Sequence, residues 1–111
     1  MEMSEQCLAA LRTWASNNHN VRELWLFGSR ARSDPRPDSD VDIAVALMPP
    51  TGNDNWALAA FIEYFDEWKT QLRALLNWEV SLVAIGPKFE MDSVVRTSGV
   101  LLWRRNISGA D

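Results

Sequence analysis

The 111 residues carry 11 lysines and arginines against 15 aspartates and glutamates, a net charge of −4 with the single His19 neutral. A chain of this length builds one core, a hydrophobic fraction of 47% is enough to fill it, and disorder is excluded as the main state. The acidic balance excludes the broad basic face that direct nucleic-acid binding needs, and no apolar run approaches the ~18–20 residues of a membrane helix.

The acidic start, Met1-Glu2-Met3-Ser4-Glu5, lacks the positive-then-apolar order of a secretory signal, so the expected location is the cytoplasm. Cys7 is the single cysteine and excludes an internal disulfide or a multi-cysteine zinc site. Its place in an apolar helical pattern predicts a core thiol.

Ser4 is the expected cap of a first helix, in which Cys7, Leu8, Leu11, Trp14 and Ala15 recur at three- and four-residue spacing. The Asn17-Asn18-His19-Asn20 cluster stops it, and His19 there reads as a surface residue. Val21 to Phe27 is too continuously apolar for a half-exposed strand and is expected to be buried on both faces. Gly28 ends it. A charged, Pro-containing segment, Ser29 to Pro37, leads to a second strand, Asp40 to Leu47, closed by Pro49-Pro50-Thr51-Gly52.

Asn53 or Asp54 caps a long helix reaching about Leu76. Its stripe of Trp56, Phe61, Tyr64, Phe65, Trp68, Leu72, Leu75 and Leu76 is first of all a core face. At 100° per residue it sweeps about 200°, more than one small sheet needs, and the surplus suits a protein partner. Trp78 to Ile85 is a third strand, Glu90 to Thr97 a short helix, and Val100 to Trp103 a last strand followed by Arg104-Arg105, which suits a solvated terminus better than a phosphate contact. One domain over residues 1–105 is expected, with a disordered tail at 106–111. Strands alternating with helices imply an α/β fold, one small sheet with helices packed mainly against it, in which function sits at strand ends.

Asp40 and Asp42 are two apart on the second strand, so both carboxylates leave one face about 6–7 Å apart, while Val41, Ile43, Val45 and Leu47 take the other. Aspartate is depleted in strands and like charges on one face repel, a conflict that a divalent cation removes. Magnesium suits such a pair, because it takes oxygen ligands and is commonly held by one or two carboxylates together with substrate phosphates. Taken alone, the pair also fits a charged edge strand that resists aggregation.

Twelve residues before Asp40 stand Gly28 and Ser29, a turn permitting close approach of backbone to a ligand, with a hydroxyl and an N–H to offer. If a helical turn begins at Ser29, its free N–H groups form an anion site to which Arg30 or Arg32 adds charge. Those arginines equally suit exposed pairs with Asp34 and Asp38.

Leu26-Phe27-Gly28-Ser29-Arg30-Ala31-Arg32, ten residues between Ser29 and Asp40, then Ser39-Asp40-Val41-Asp42-Ile43-Ala44-Val45 resembles the signature of minimal nucleotidyltransferases of the polymerase β superfamily. The likeness is close over residues 21–47, and the element order extends it over nearly the whole chain, to Gly99-Val100-Leu101-Leu102. It implies a polymerase β-like domain with a mixed sheet, Gly28, Ser29 and Arg30 holding the triphosphate of ATP, and Asp40 and Asp42 holding magnesium. It also implies in-line attack of a hydroxyl on the α-phosphate.

The sequence departs from the pattern at Ser33, where glycine is usual, and at the third carboxylate of the third strand, where Ser81 is the aligned residue. Glu79, two residues earlier, either serves as the catalytic carboxylate in its place or is a strand-end surface residue. Minimal chains of this length resemble the antitoxins of two-gene systems whose partner is a HEPN ribonuclease toxin, silenced by adenylylation of a tyrosine. The alternatives are a degenerate nucleotidyltransferase that only binds its toxin, and a homodimeric enzyme for a small hydroxyl compound.

Overall fold

A computed structural model describes residues 5–28, 40–47, 54–86 and 89–105, with side chains of the long helix from residue 59 onward. The elements run α1 (Glu5–Asn17), β1 (Val21–Phe27), β2 (Val41–Leu47), α2 (Asp54–Leu76), β3 (Val80–Ile85), α3 (Asp92–Ser98) and β4 (Val100–Arg104). Element types and order match the expectation. Asp40 lies just ahead of β2 and Glu79 just ahead of β3, whereas the pattern put both inside strands; α3 starts two residues later than expected and β4 runs one residue longer. Ser4, Ser33 and the tail lie outside the described residues.

The four strands form one mixed sheet in the order β3-β2-β1-β4. β1 pairs antiparallel with β2 and β4, while β2 and β3 are parallel. Parallel neighbours need a long crossover, and the 23 residues of α2 supply it. Alternation along β2 holds as expected. Val41, Ile43, Val45 and Leu47 enter the main core, and Ala44 and Ala46 face a smaller cluster on the other side. β1 serves both faces, with Leu24 and Leu26 in the main core and Trp25 and Phe27 opposite, which accounts for its continuous apolar run.

α1 and α2 cover the main core through Leu11, Trp14, Ala15, Trp68, Leu72 and Leu76. Trp68 stacks on Tyr64 at 5.2 Å and meets Trp14 edge-on at 5.7 Å, and the Trp14 indole N–H donates to Gln71 Oε1 at 2.7 Å. Most of the aromatic stripe is thus core: Phe61, Tyr64, Phe65 and Leu75 pack against this cluster, half-buried. Among the described residues of α2, Ile62 is a large apolar side chain left exposed, 67% accessible, and the stripe did not include it. Cys7 is half-buried and packs against the core rather than lying within it.

α3 covers the second face through Val95 and is anchored by a buried acid. Glu23, 6% exposed on β1, accepts from the Trp25 indole N–H at 3.0 Å and from Arg96 at 3.1 Å, and pairs with Arg104 at 3.3 Å. Burial opposes the Arg96 charge, but the Asp92 hydrogen bond and the charges of Glu23 and Asp92 outweigh it and raise the guanidinium above its ordinary value. Arg104 stays largely exposed, as expected of a solvated terminus, while reaching Glu23, and Arg105 corrects that expectation. Arg105 donates to the carbonyls of Val21, Ala15 and Asn18 and so ties the end of β4 to the end of α1 and the start of β1.

Candidate functional site

The topology brings three chain segments to one end of the sheet. Because β1 is antiparallel to β2 and β2 is parallel to β3, the end of β1 lies beside the starts of β2 and β3. Asp42 is the central residue of that row. It pairs with Phe27 of β1 on one side and with Ser81 of β3 on the other, half-buried, on the face of Ala44 and Ala46.

Gly28 follows at φ +77°, a conformation that side-chain-bearing residues rarely adopt. A Cβ at this position would fall on Oδ2 of Asp42 and lie 2.9 Å from its Cγ. Glycine is therefore needed twice, for the turn and for the space that the carboxylate occupies. The sequence supplied the first reason. The second depends on cross-strand register, which the residues alone do not reveal.

Asp40 is exposed immediately before β2. The Val41 N–H donates to the Glu79 carbonyl at 2.9 Å, which sets the residues leading into β2 and β3 side by side. Glu79 itself is exposed between Trp78, half-buried against the main core, and Val80, within it, and its carboxylate pairs with Arg73 of α2 at 2.9 Å. Ser81 is the residue brought directly beside Asp42. Ser29 and Arg30, with Arg32, lie outside the described residues. Among the described residues no three histidine, cysteine or carboxylate side chains converge.

This donor set fits a small oxygen-seeking cation. Asp40 and Asp42 are carboxylates spaced two residues apart, and the missing side chain of Gly28 leaves the space that the Asp42 carboxylate occupies. Pairing the two aspartates without a counter-charge would be unfavourable.

Sequence reasoning missed a groove of about 380 Å³ lined by Thr70, Arg73, Ala74, Asn77, Trp78 and Glu79. The available signal was residues 70, 73, 74 and 77, a helical row of small and polar side chains ending in Asn77, which takes φ 55° to leave the helix. Among the described residues no helix is long and apolar enough to cross a membrane.

The sequence matches the family described as polymerase beta, nucleotidyltransferase, over residues 10–108. Two of the similar solved structures are toxin–antitoxins. One is a toxin–antitoxin with AMP-PNP, 26% identical with a TM-score of 0.60, the match covering 91% of this chain and 73% of that one. The other is the toxin–antitoxin MntA-HpeT, 25% identical with a TM-score of 0.57 over 89% and 71% of the chains, as a mutant in which two aspartates two positions apart are glutamates. No curated protein sequence matches.

Proposed function

The chain belongs to the polymerase β nucleotidyltransferase family, and from that membership we propose that it transfers AMP from ATP to a hydroxyl of a partner toxin, a tyrosine of a HEPN ribonuclease, and so acts as an antitoxin in the cytoplasm. The observation that carries the reading is the seat of Asp42, pressed against Gly28 and flanked by Ser81. A carboxylate held against Gly28 supports a cation site beside phosphates bound by Gly28 and Ser29. The similar structures supply the context, since one is a toxin–antitoxin with a nucleotide analogue and the other changes two aspartates with the spacing of Asp40 and Asp42.

In this reading Asp40 and Asp42 hold magnesium, and Gly28, Ser29 and Arg30 hold the phosphates. Magnesium would supply the positive charge that stabilises the entering and leaving oxygens. The acceptor oxygen bonds to the α-phosphorus in line with the departing pyrophosphate, whose bridging bond breaks. Glu79 takes the hydroxyl proton. No described residue reads the base, so the choice of ATP rests on the family and on the analogue in the similar structure.

Ser81 beside Asp42 favours a second reading, a nucleotide-binding antitoxin that sequesters its toxin without transfer. Purifying the chain with the product of the neighbouring gene and measuring that product's intact mass after adding ATP and magnesium separates the two. A gain of one or more AMP units, lost in Asp42→Asn, is the expected result. A stable complex with no gain establishes the binder instead.

A further inference from the structure

The path of α3 leaves one corner of the sheet open. Successive turns, Phe89 N–H to the Gly86 carbonyl and Asp92 N–H to the Phe89 carbonyl, start the helix at the end of β3, where Met91 packs on the smaller apolar cluster. Its last turn runs into Gly99, where an added Cβ would lie 3.1 Å from the Leu26 carbonyl, and β4 then begins with Val100 paired to Leu26. The helix therefore crosses the second face on a diagonal, from the end of β3 to the end of β1. One of its flanks carries Asp92 and Arg96, which pair with each other and, through Arg96, with Glu23 near the start of β1. Val94 lies about 200° around the helix from Arg96, on the opposite flank, which faces the start of β3. It remains 48% exposed there.

The floor of this corner is continuous with the candidate site. Val80 and Leu82 enter the main core, so Ser81 and Val83 face the other way, onto the face of Asp42. Both are half-buried. Ser81 stands directly beside Asp42, and Val83 follows about 7 Å further along β3, beside Ala44. Asp42 is thus succeeded on its own face by uncharged side chains, Ser81, Val83, Met91 and Val94. A carboxylate site that passes into an uncharged, mainly apolar surface suits a ligand with its charge at one end and a ring at the other.

We propose that this corner receives the nucleoside end, ribose and base, of the triphosphate whose phosphates lie at Gly28 and Asp42. The proposal rests on the nucleotide-binding reading above and adds to it the surface that distinguishes a nucleotide from a bare triphosphate. The ribose spans the step from the row of Asp42 and Ser81 to Val83, and the base lies with its flat side against Val83 and Val94. Valine offers no hydrogen bond to a base edge, so the contact holds a ring without choosing among bases.

Val94→Gln removes the apolar contact from an exposed position without adding charge, and glutamine is a good helix former, so the fold is expected to survive. Val94→Leu keeps an apolar side chain, and Val100→Gln, exposed on β4 beside Leu26, is the control. Calorimetry with magnesium measures the affinity of each protein for a non-hydrolysable ATP analogue and for inorganic tripolyphosphate. The expected result is a loss of about fivefold for the analogue in Val94→Gln, the effect of uncovering about half a valine side chain, with tripolyphosphate unchanged. Val94→Leu and Val100→Gln should bind both like wild type. Unchanged analogue affinity in Val94→Gln overturns the inference and leaves the nucleotide-binding reading standing. An equal loss for tripolyphosphate also overturns it, because the substitution would then act on the phosphate site. A wild-type protein that binds neither compound removes the nucleotide-binding reading, and the inference falls with it.

Discussion

Gly28→Ala tests the site's geometry without removing any charged group. The added methyl meets two separate obstacles, and they can be measured apart. At φ +77° an alanine costs about 1–2 kcal/mol relative to a right-handed or extended conformation, offset by about 0.4–1 kcal/mol because the unfolded chain loses freedom. The methyl also lands on the Asp42 carboxylate, with Cγ at 2.9 Å and Cβ at 3.3 Å, an overpacking that costs about 1–3 kcal/mol. Together these leave a loss of about 3 kcal/mol, a large share of the ~5–15 kcal/mol that holds a domain folded. In an Asp42→Ala background the carboxylate is gone and only the Cβ contact at 3.3 Å remains, so the same substitution should cost about 1 kcal/mol. Urea denaturation of the four proteins in this double-mutant cycle should therefore give a coupling near 2 kcal/mol, seen as a midpoint difference of about 1 M. Equal costs in the two backgrounds would refute the argument that Gly28 is glycine to make room for Asp42.

The alternation of Val41, Ile43, Val45 and Leu47 against Ala44 and Ala46 was legible because side-chain direction on a strand follows from covalent geometry alone. The same holds for β1, where an unbroken apolar run meant two buried faces. The resemblance put Ser81 at the third-carboxylate position, but its register against Asp42 and the contact between Arg73 and Glu79 were not legible from spacing, since each depends on the packing of elements joined by the α2 crossover. Arg105 escaped for a related reason. Its partners are carbonyls of Ala15, Asn18 and Val21, almost the whole chain away, and a basic pair at a terminus carries no local mark of that role. Pattern thus located the strand ends that build the site, while topology decided which side chains meet there.

Two further predictions concern charges that the fold places. Glu23→Ala leaves the Trp25 indole N–H and two arginines without their buried acceptor, and because Arg96 and Arg104 are partly exposed the expected loss is about 2–3 kcal/mol in urea unfolding. Glu23→Gln keeps a carbonyl oxygen for the indole and should lose about half as much, so equal losses would count against the hydrogen-bond account. Glu79→Gln should lower AMP transfer by about 100- to 10,000-fold while leaving binding of a non-hydrolysable ATP analogue intact, because the substitution removes the proton acceptor and no phosphate contact. If Glu79→Gln is silent and wild type is slow, the vacancy lies at Ser81 instead. Ser81→Asp then sets a carboxylate directly across from Asp42 in the parallel register and should raise the transfer rate, whereas a rate unmoved by either substitution would leave the sequestering antitoxin as the reading that survives.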